Sequence, residues 1–193
     1  NQLSENFQAS TANPELSKAV FDLIAPIPQY KNMEITPIHL LFVIELSISS
    51  LTIGVPQQVL ASISAILETL PAPDRTQIGF LTYESTHLTY YKCKDSTRDV
   101  QEIVVAEIDE ECVPLSSSEM FLNVSSEISN IRMITEKLSK RIENFLFENP
   151  QAKAGMPMGA AFANAIASIK PNLGRALVFV TQPPTVGFAK IQK

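Results

Sequence analysis

Residues 39–49 read HLLFVIELSIS. The run Leu40-Leu41-Phe42-Val43-Ile44 is apolar without a break, bounded by Pro37 on one side and by serines on the other. A short apolar run without alternation fits a strand covered on both faces, which belongs at the centre of a sheet. The strand ends in Glu45, followed by Ser47 and Ser49. An acid and two alternating serines at a strand end pose a choice between half of a cation site and a loop held by its own polar groups.

Outward from this stretch, helices and strands come in turn. Gly54 and Pro56 open a helical pattern through Val59, Ile63, Ile66, Leu67 and Leu70, and Pro71 stops it. Residues 76–85, TQIGFLTYES, read as a second strand, with 87–93, HLTYYKC, as its hairpin partner. The stretches 101–106 and 111–115 read as short, mixed strand or loop pieces around the acidic knot Glu107 to Glu111. Ser116, Ser117 and Ser118 are placed to cap the next helical run. That run carries Ile128, Ile131, Ile134, Leu138, Ile142 and Phe145, with an i,i+4 pair Glu136–Lys140, and Asn149-Pro150 ends it. Met158, Phe162, Ile166 and Ile169 mark another helix, whose many alanines allow close approach to a sheet. Residues 176–180, ALVFV, form a further apolar strand that leaves through TQPPTVG (181–187).

At the amino-terminal side, residues 1–18 read as a polar arm, and Ala19 to Ile24 as a short edge strand before a proline break. The folded domain is assigned to 19–193. The order predicts a doubly wound α/β fold. Its sheet is mostly parallel, with helices on both faces and an antiparallel hairpin edge. Ligands of such folds sit beyond the carboxyl ends of the strands, where IELSIS and TQPP fall.

Composition narrows the classes. At 45% apolar and 18% charged residues the chain has the balance of a folded domain, and its net charge of −5 offers no basic footprint for nucleic acid. Cys93 and Cys112 lie too far apart for a CxxC and lack histidine partners, which favours a reducing, cytoplasmic setting. The sequon Asn123-Val124-Ser125 reads as a chance match. No apolar run reaches membrane-span length, and NQLSENFQAS is not a signal peptide.

The strand-then-acid-and-serines pattern resembles the DxSxS of von Willebrand A domains, where two serines, a threonine and a second aspartate complete a site for a hard cation such as Mg²⁺. Here the acid is Glu45, whose extra methylene moves the carboxylate by about 1.5 Å. The loop 154–159, AGMPMG, holds no threonine, and the closing aspartate is replaced in Thr181-Gln182-Pro183. Octahedral Mg²⁺ needs oxygen ligands at about 2.1 Å, and both charge and geometry fall short. Ser47 and Ser49 are therefore expected to satisfy the loop's backbone groups and cap the segment after it. No residue is assigned as catalytic, cofactor-binding or metal-ligating.

Other chemistry has little support. His39 reads as a strand-start residue and His87 as a hairpin residue, each without a nucleophile nearby. Gly54-Val55-Pro56 lacks the GxxxxGK phosphate loop. Lys137, Lys140 and Arg141 read as a solvated helix face, and Met156 and Met158 as helix-start packing.

Longer phrases carry a resemblance. LPAPDRTQIGFLTYES (70–85) is similar to LPGDxRTQIGFITFDS, and AEIDEECVPL (106–115) to DIDDxFxPLP. FLNVSSEISNI (121–131) resembles LLVNLSESxxxI, and MGAAFANAI (158–166) resembles GPALQAAxxLL. GRALVFVTQPPTVG (174–187), NPELSKAVFDLIAP (13–26) and HLLFVIELS (39–47) resemble GRVxVFQTxLPTxG, RPELxxGSVEFVAP and YVFLIDVS. In order from 13 to 187, these phrases are those of the trunk domain of the COPII coat cargo-adaptor family, a von Willebrand A-like domain that need not bind metal. Two departures stand out: Glu45 for the usual aspartate, and Tyr83-Glu84 for the family's Phe-Asp pair.

The resemblance implies that 19–193 is a trunk domain, incomplete at its carboxyl end. It implies a non-catalytic module of the inner coat in ER-to-Golgi transport. It implies pairing with the partner coat subunit trunk to trunk, recognition of cargo export-signal peptides, peripheral contact with the ER membrane, and recruitment through a small coat GTPase. It implies a cytoplasmic location, at the coat on the endoplasmic reticulum. It implies no cofactor in this stretch, with a zinc ribbon expected upstream. The alternative from the residues alone is a metal-dependent von Willebrand A recognition domain outside the coat, resting on Glu45, Ser47 and Ser49.

Overall fold

The computed structural model describes residues 36–94, 99–148 and 155–191, without the side chains of 146–148. The expected arm 1–18, the edge strand 19–24 and the Asn149-Pro150 helix stop lie outside the described residues.

The first strand, β1 (Ile38–Glu45), is as buried as its sequence predicts. Its side chains alternate between two cores: Phe42 and Ile44 belong to one, Leu41 and Val43 to the other. Full burial of a Leu or Phe stabilises by about 2–3 kcal/mol, so a strand feeding two cores is the natural centre of the sheet. β2 (Thr76–Tyr83) pairs parallel to β1 from Ile38↔Thr76 to Glu45↔Tyr83. β6 (Arg175–Phe179) pairs parallel on the other side, Leu40↔Arg175 to Ile44↔Phe179. β3 (Leu88–Lys94) and β4 (Asp99–Val105) continue antiparallel beyond β2.

The path is β4-β3-β2-β1-β6, with the two-residue β5 (Leu122–Asn123) off it against Gln77 and Ile78 of β2. β3 pairs only with residues 81–83 of β2, which leaves the start of that edge for β5. Gly79 lies at the changeover: a Cβ there would stand 3.1 Å from the Phe121 ring. Of the six described strands, β1, β2, β4 and β6 run the same way, so the sheet is mostly parallel with an antiparallel hairpin edge.

Helices cover both faces. After β1 come α1 (Ile48–Ile53) and α2 (Val55–Leu67). The sequence places the helix start at Gly54, but Gly54 is a joint between two helices, with φ +85°. Pro56 falls in the first turn of α2, where its missing N–H costs nothing. The long α4 (Ile128–Glu148) buries Ile131, Ile134, Leu138, Ile142 and Phe145 beside α2 on the Phe42 face. α5 (Met158–Ile169) lies on the Leu41 face.

Two readings shift. Ser116 heads a separate short helix, α3 (Ser117–Met120), and not the long α4. Of the 101–106 stretch, read as a mixed piece, residues 101–105 belong to the regular strand β4, paired residue for residue with β3. Gln101 and Glu102 weaken its strand signal, and Glu102 is held instead by Arg141.

Candidate functional site

The carboxyl ends of β1, β2 and β6 meet where the sequence places Glu45. Its side chain is fully buried. Oε1 accepts from the Ser47 hydroxyl at 2.6 Å, the Thr181 hydroxyl at 2.7 Å and the Gln182 amide at 3.2 Å. Oε2 accepts from the Thr181 backbone N–H at 2.6 Å. Four donors around one carboxylate are what a buried charge requires, and charge-assisted bonds of this length are strong. Beside it, burial and the Glu45 charge push the Tyr83 phenol far above its ordinary range. The protonated Tyr83 hydroxyl donates to the Phe179 carbonyl at 3.2 Å, which ties β2 to β6.

This donor set does not fit a hard cation. Thr181 N–H and the Gln182 amide nitrogen have no lone pair to offer, and a single carboxylate is present. Among the described residues, no group of three or more His, Cys, Asp or Glu is arranged to hold a metal ion. The extra methylene of Glu45, read from sequence as a mismatch, carries the carboxylate to the loop that leaves β6.

The second serine of the loop is corrected. Ser47 caps α1, its hydroxyl accepting from Ser50 N–H at 3.0 Å, while the Ser50 hydroxyl accepts from Ser47 N–H at 3.0 Å. Ser50 completes this box, and Ser49 is exposed on α1. The box needs a partner three positions on, at N3, which the alternating DxSxS spacing points past.

The exit loop is held again farther on. Met156 N–H donates to the Thr185 hydroxyl at 2.9 Å, and Thr185 N–H donates to the Met156 carbonyl at 3.0 Å. Phe188 N–H donates to the Ile108 carbonyl at 2.9 Å. Met156 is buried in the Leu41-side core and Met158 packs at its margin.

A second polar cluster lies at the hairpin edge. Arg141 of α4 pairs with Glu84, and donates to Glu102 and to the Tyr91 hydroxyl, both at 3.3 Å. Burial pushes the Tyr91 phenol above its ordinary range, so it stays protonated and bonds Thr82 at 2.9 Å. The neighbouring Lys137 donates to the Val100 carbonyl at 2.7 Å. The predicted solvated face therefore holds only for Lys140, which pairs with Glu136 in the open; Arg141 side-chain exposure is 15%. The sequence signal that locates this cluster is Glu84, an acid where the strand turns.

His39 sits at the strand start as predicted, its Nδ1 bonded to the Pro37 carbonyl at 3.2 Å and its ring edge-on to Phe121. His87 sits in the hairpin turn, 3.4 Å from Arg141 and 3.7 Å from Glu84. Neither histidine is brought to Glu45. Asn164, which no sequence motif marks, is fully buried on α5. Its Oδ1 accepts from the Tyr90 hydroxyl and Cys112 N–H, joining β3, the acidic loop and α5.

A mixed open sheet under helices on both faces, with its strand-end carboxylate engaged by protein donors, is a von Willebrand A-like scaffold. The model of the family described as the Sec23/Sec24 trunk domain matches residues 35–193, and the chain belongs to that family. Protein transport protein SEC24 A of Arabidopsis thaliana is 32% identical over 181 residues, covering 93% of this chain and 16% of that protein. Protein transport protein Sec24A of Mus musculus is 28% identical over 195 residues, covering 100% of this chain and 17% of that protein. The chain thus spans 16–17% of the length of these two curated relatives. The crystal structure of the human COPII-coat protein Sec24c shares the fold, with a TM-score of 0.66 at 21% identity over 81% of this chain and 21% of that one.

Proposed function

We propose that this chain is the trunk of a COPII inner-coat cargo adaptor, acting through protein contact and without catalysis. It pairs with a Sec23-type trunk and contributes to the reading of export signals on cargo in ER-to-Golgi transport. The family match over 35–193 carries this reading, and the relatives named protein transport proteins support it. In this reading Glu45, Ser47, Ser50 and Thr181 position loops, and no metal or cofactor acts in this stretch. Contact with the ER membrane is peripheral and electrostatic; no helix among the described residues is long and apolar enough to cross a membrane. Affinity for each cargo signal is modest and is multiplied by the avidity of the coat.

The test is analytical gel filtration of the 193-residue chain mixed with a purified Sec23-type trunk. A shared earlier-eluting peak at about micromolar concentration supports the reading, and two unchanged peaks contradict it.

A further inference from the structure

We propose that the outer edge of β4, at Glu102–Val104, docks an extended peptide of a partner protein that carries an acidic side chain. Among the described residues no strand pairs with that edge. The direction of each backbone group comes from the ladder. Glu84 N–H donates to the His87 carbonyl at 2.9 Å, which makes Glu84 and His87 a hydrogen-bonded pair at the turn. Alternation along β2–β3 then directs the backbone of Leu88 and Tyr90 towards β4, where they face Val105 and Ile103. Val100, Glu102 and Val104 therefore direct their N–H and C=O groups outward.

Val100 shows this directly. Its N–H is taken by the Asp99 carboxylate at 2.8 Å, and its carbonyl by Lys137 Nζ at 2.7 Å. A short self-contact and a lysine seal the edge there, as sheet edges are commonly sealed. Glu102 and Val104 have no such cover among the described residues. Their two N–H and two C=O groups leave an opening about 7 Å long, enough for a short added strand.

A cavity of about 480 Å³ adjoins the opening on the α4 side, lined by Glu102, Val104, Lys137, Lys140, Arg141 and Asn144, with Glu84 and His87 also on its wall. Its three fixed cations exceed its two carboxylates by one. Arg141 is taken up by Glu84 and Glu102, and Lys137 by Val100. Among the described residues the ion pair of Lys140 is with Glu136, in the open, and Glu143 acts on it from farther off. Exposed pairs of this kind are weak, so the Lys140 ammonium can turn to a ligand carboxylate. A strand added at β4 alternates its side chains, and an acid on the α4 side meets Lys140. Val104, 57% exposed, offers apolar contact to its neighbours. The proposal stands on this edge and its charges, and can fail while the coat reading holds.

The test uses amide NMR of the ¹⁵N-labelled 193-residue chain. The probe is the blocked peptide acetyl-Thr-Val-Thr-Glu-Thr-Val-Thr-amide, with two controls: lysine in place of the central acid, and the acidic peptide methylated on its backbone nitrogens. The expected result is saturable shifts at the Glu102 and Val104 amides, at least about fivefold weaker binding of the lysine peptide, and loss of binding on methylation. Lys140→Glu, at an exposed position, should reverse the acid-over-lysine preference. No saturable shift at these amides up to about 1 mM overturns the proposal. So do equal affinity for acidic and lysine peptides, or binding that survives methylation.

Discussion

Glu45 illustrates how one methylene changes the role of a position. The longer side chain reaches across the strand ends and accepts from Thr181 twice, once from the backbone and once from the hydroxyl. The charge is satisfied by loop donors, and the loop is held by the charge. Glu45→Ala removes the acceptor and leaves buried donors unmatched, with an expected loss of about 3 kcal/mol in urea unfolding. Glu45→Gln keeps the shape and one acceptor oxygen and should lose about half of that. Equal stability of both variants with the parent chain would show that the contacts contribute nothing. The position of Glu45 at a strand end is legible in HLLFVIELSIS, because strand burial and the serine cluster are local signals. Its partners are not, because Thr181 lies 136 residues away in sequence. The sequence favours Ser49 over Ser50 for a related reason: the alternating pattern suits a loop, while a helix cap uses the third residue onward.

The elements show the same division between local and distant information. The stripe of α4 is legible because its isoleucines recur at helical spacing and face one core. The orientation of α5 is less so. Ala160, Ala161 and Ala165 pack into the Leu41-side core, while Phe162 and Ile166 are exposed. Gly159 is small for a separate reason: it abuts the loop after β6, where a Cβ would stand 2.0 Å from the Phe188 carbonyl oxygen. Between α4 and the hairpin, Arg141 holds β3, β4 and the turn after β2 through Tyr91, Glu102 and Glu84. Arg141→Met should cost about 3–5 kcal/mol in chemical denaturation, since it leaves Glu84 buried without its partner. A companion Glu84→Gln change should recover part of that loss. At α3, Lys92 first and then the Ser116 hydroxyl and N–H bring the Glu119 carboxyl down from 4.5 to about 2. A lowered acid stabilises the fold fully above 4.5 and loses that contribution as pH falls towards 2. Urea midpoints measured from about pH 5 to about pH 3 should therefore fall less steeply for Glu119→Gln than for the parent chain. Parallel curves would remove Glu119 from the account.

Across the whole molecule, alternation of apolar strands and helices is enough to identify an open α/β sheet with a hairpin edge, because layer packing follows from periodicity. The place of β6 needs the structure. ALVFV is as apolar as a central strand, yet among the described residues β6 pairs only with β1 and leaves Leu177 exposed. Family membership is carried by ordered phrases such as RTQIGF, whose pattern records a shared history more than any single contact. The strand-end site then separates two kinds of von Willebrand A-like domain, those that recognise partners through a bound cation and those that do so through protein surface alone. We propose the second kind for this chain, because Glu45 is already engaged by Ser47, Thr181 and Gln182. Calorimetric titration of the chain with Mg²⁺, and separately with Mn²⁺, tests that placement directly. The predicted result is heats equal to those of dilution for both ions. A one-site isotherm that disappears in Glu45→Gln would contradict it.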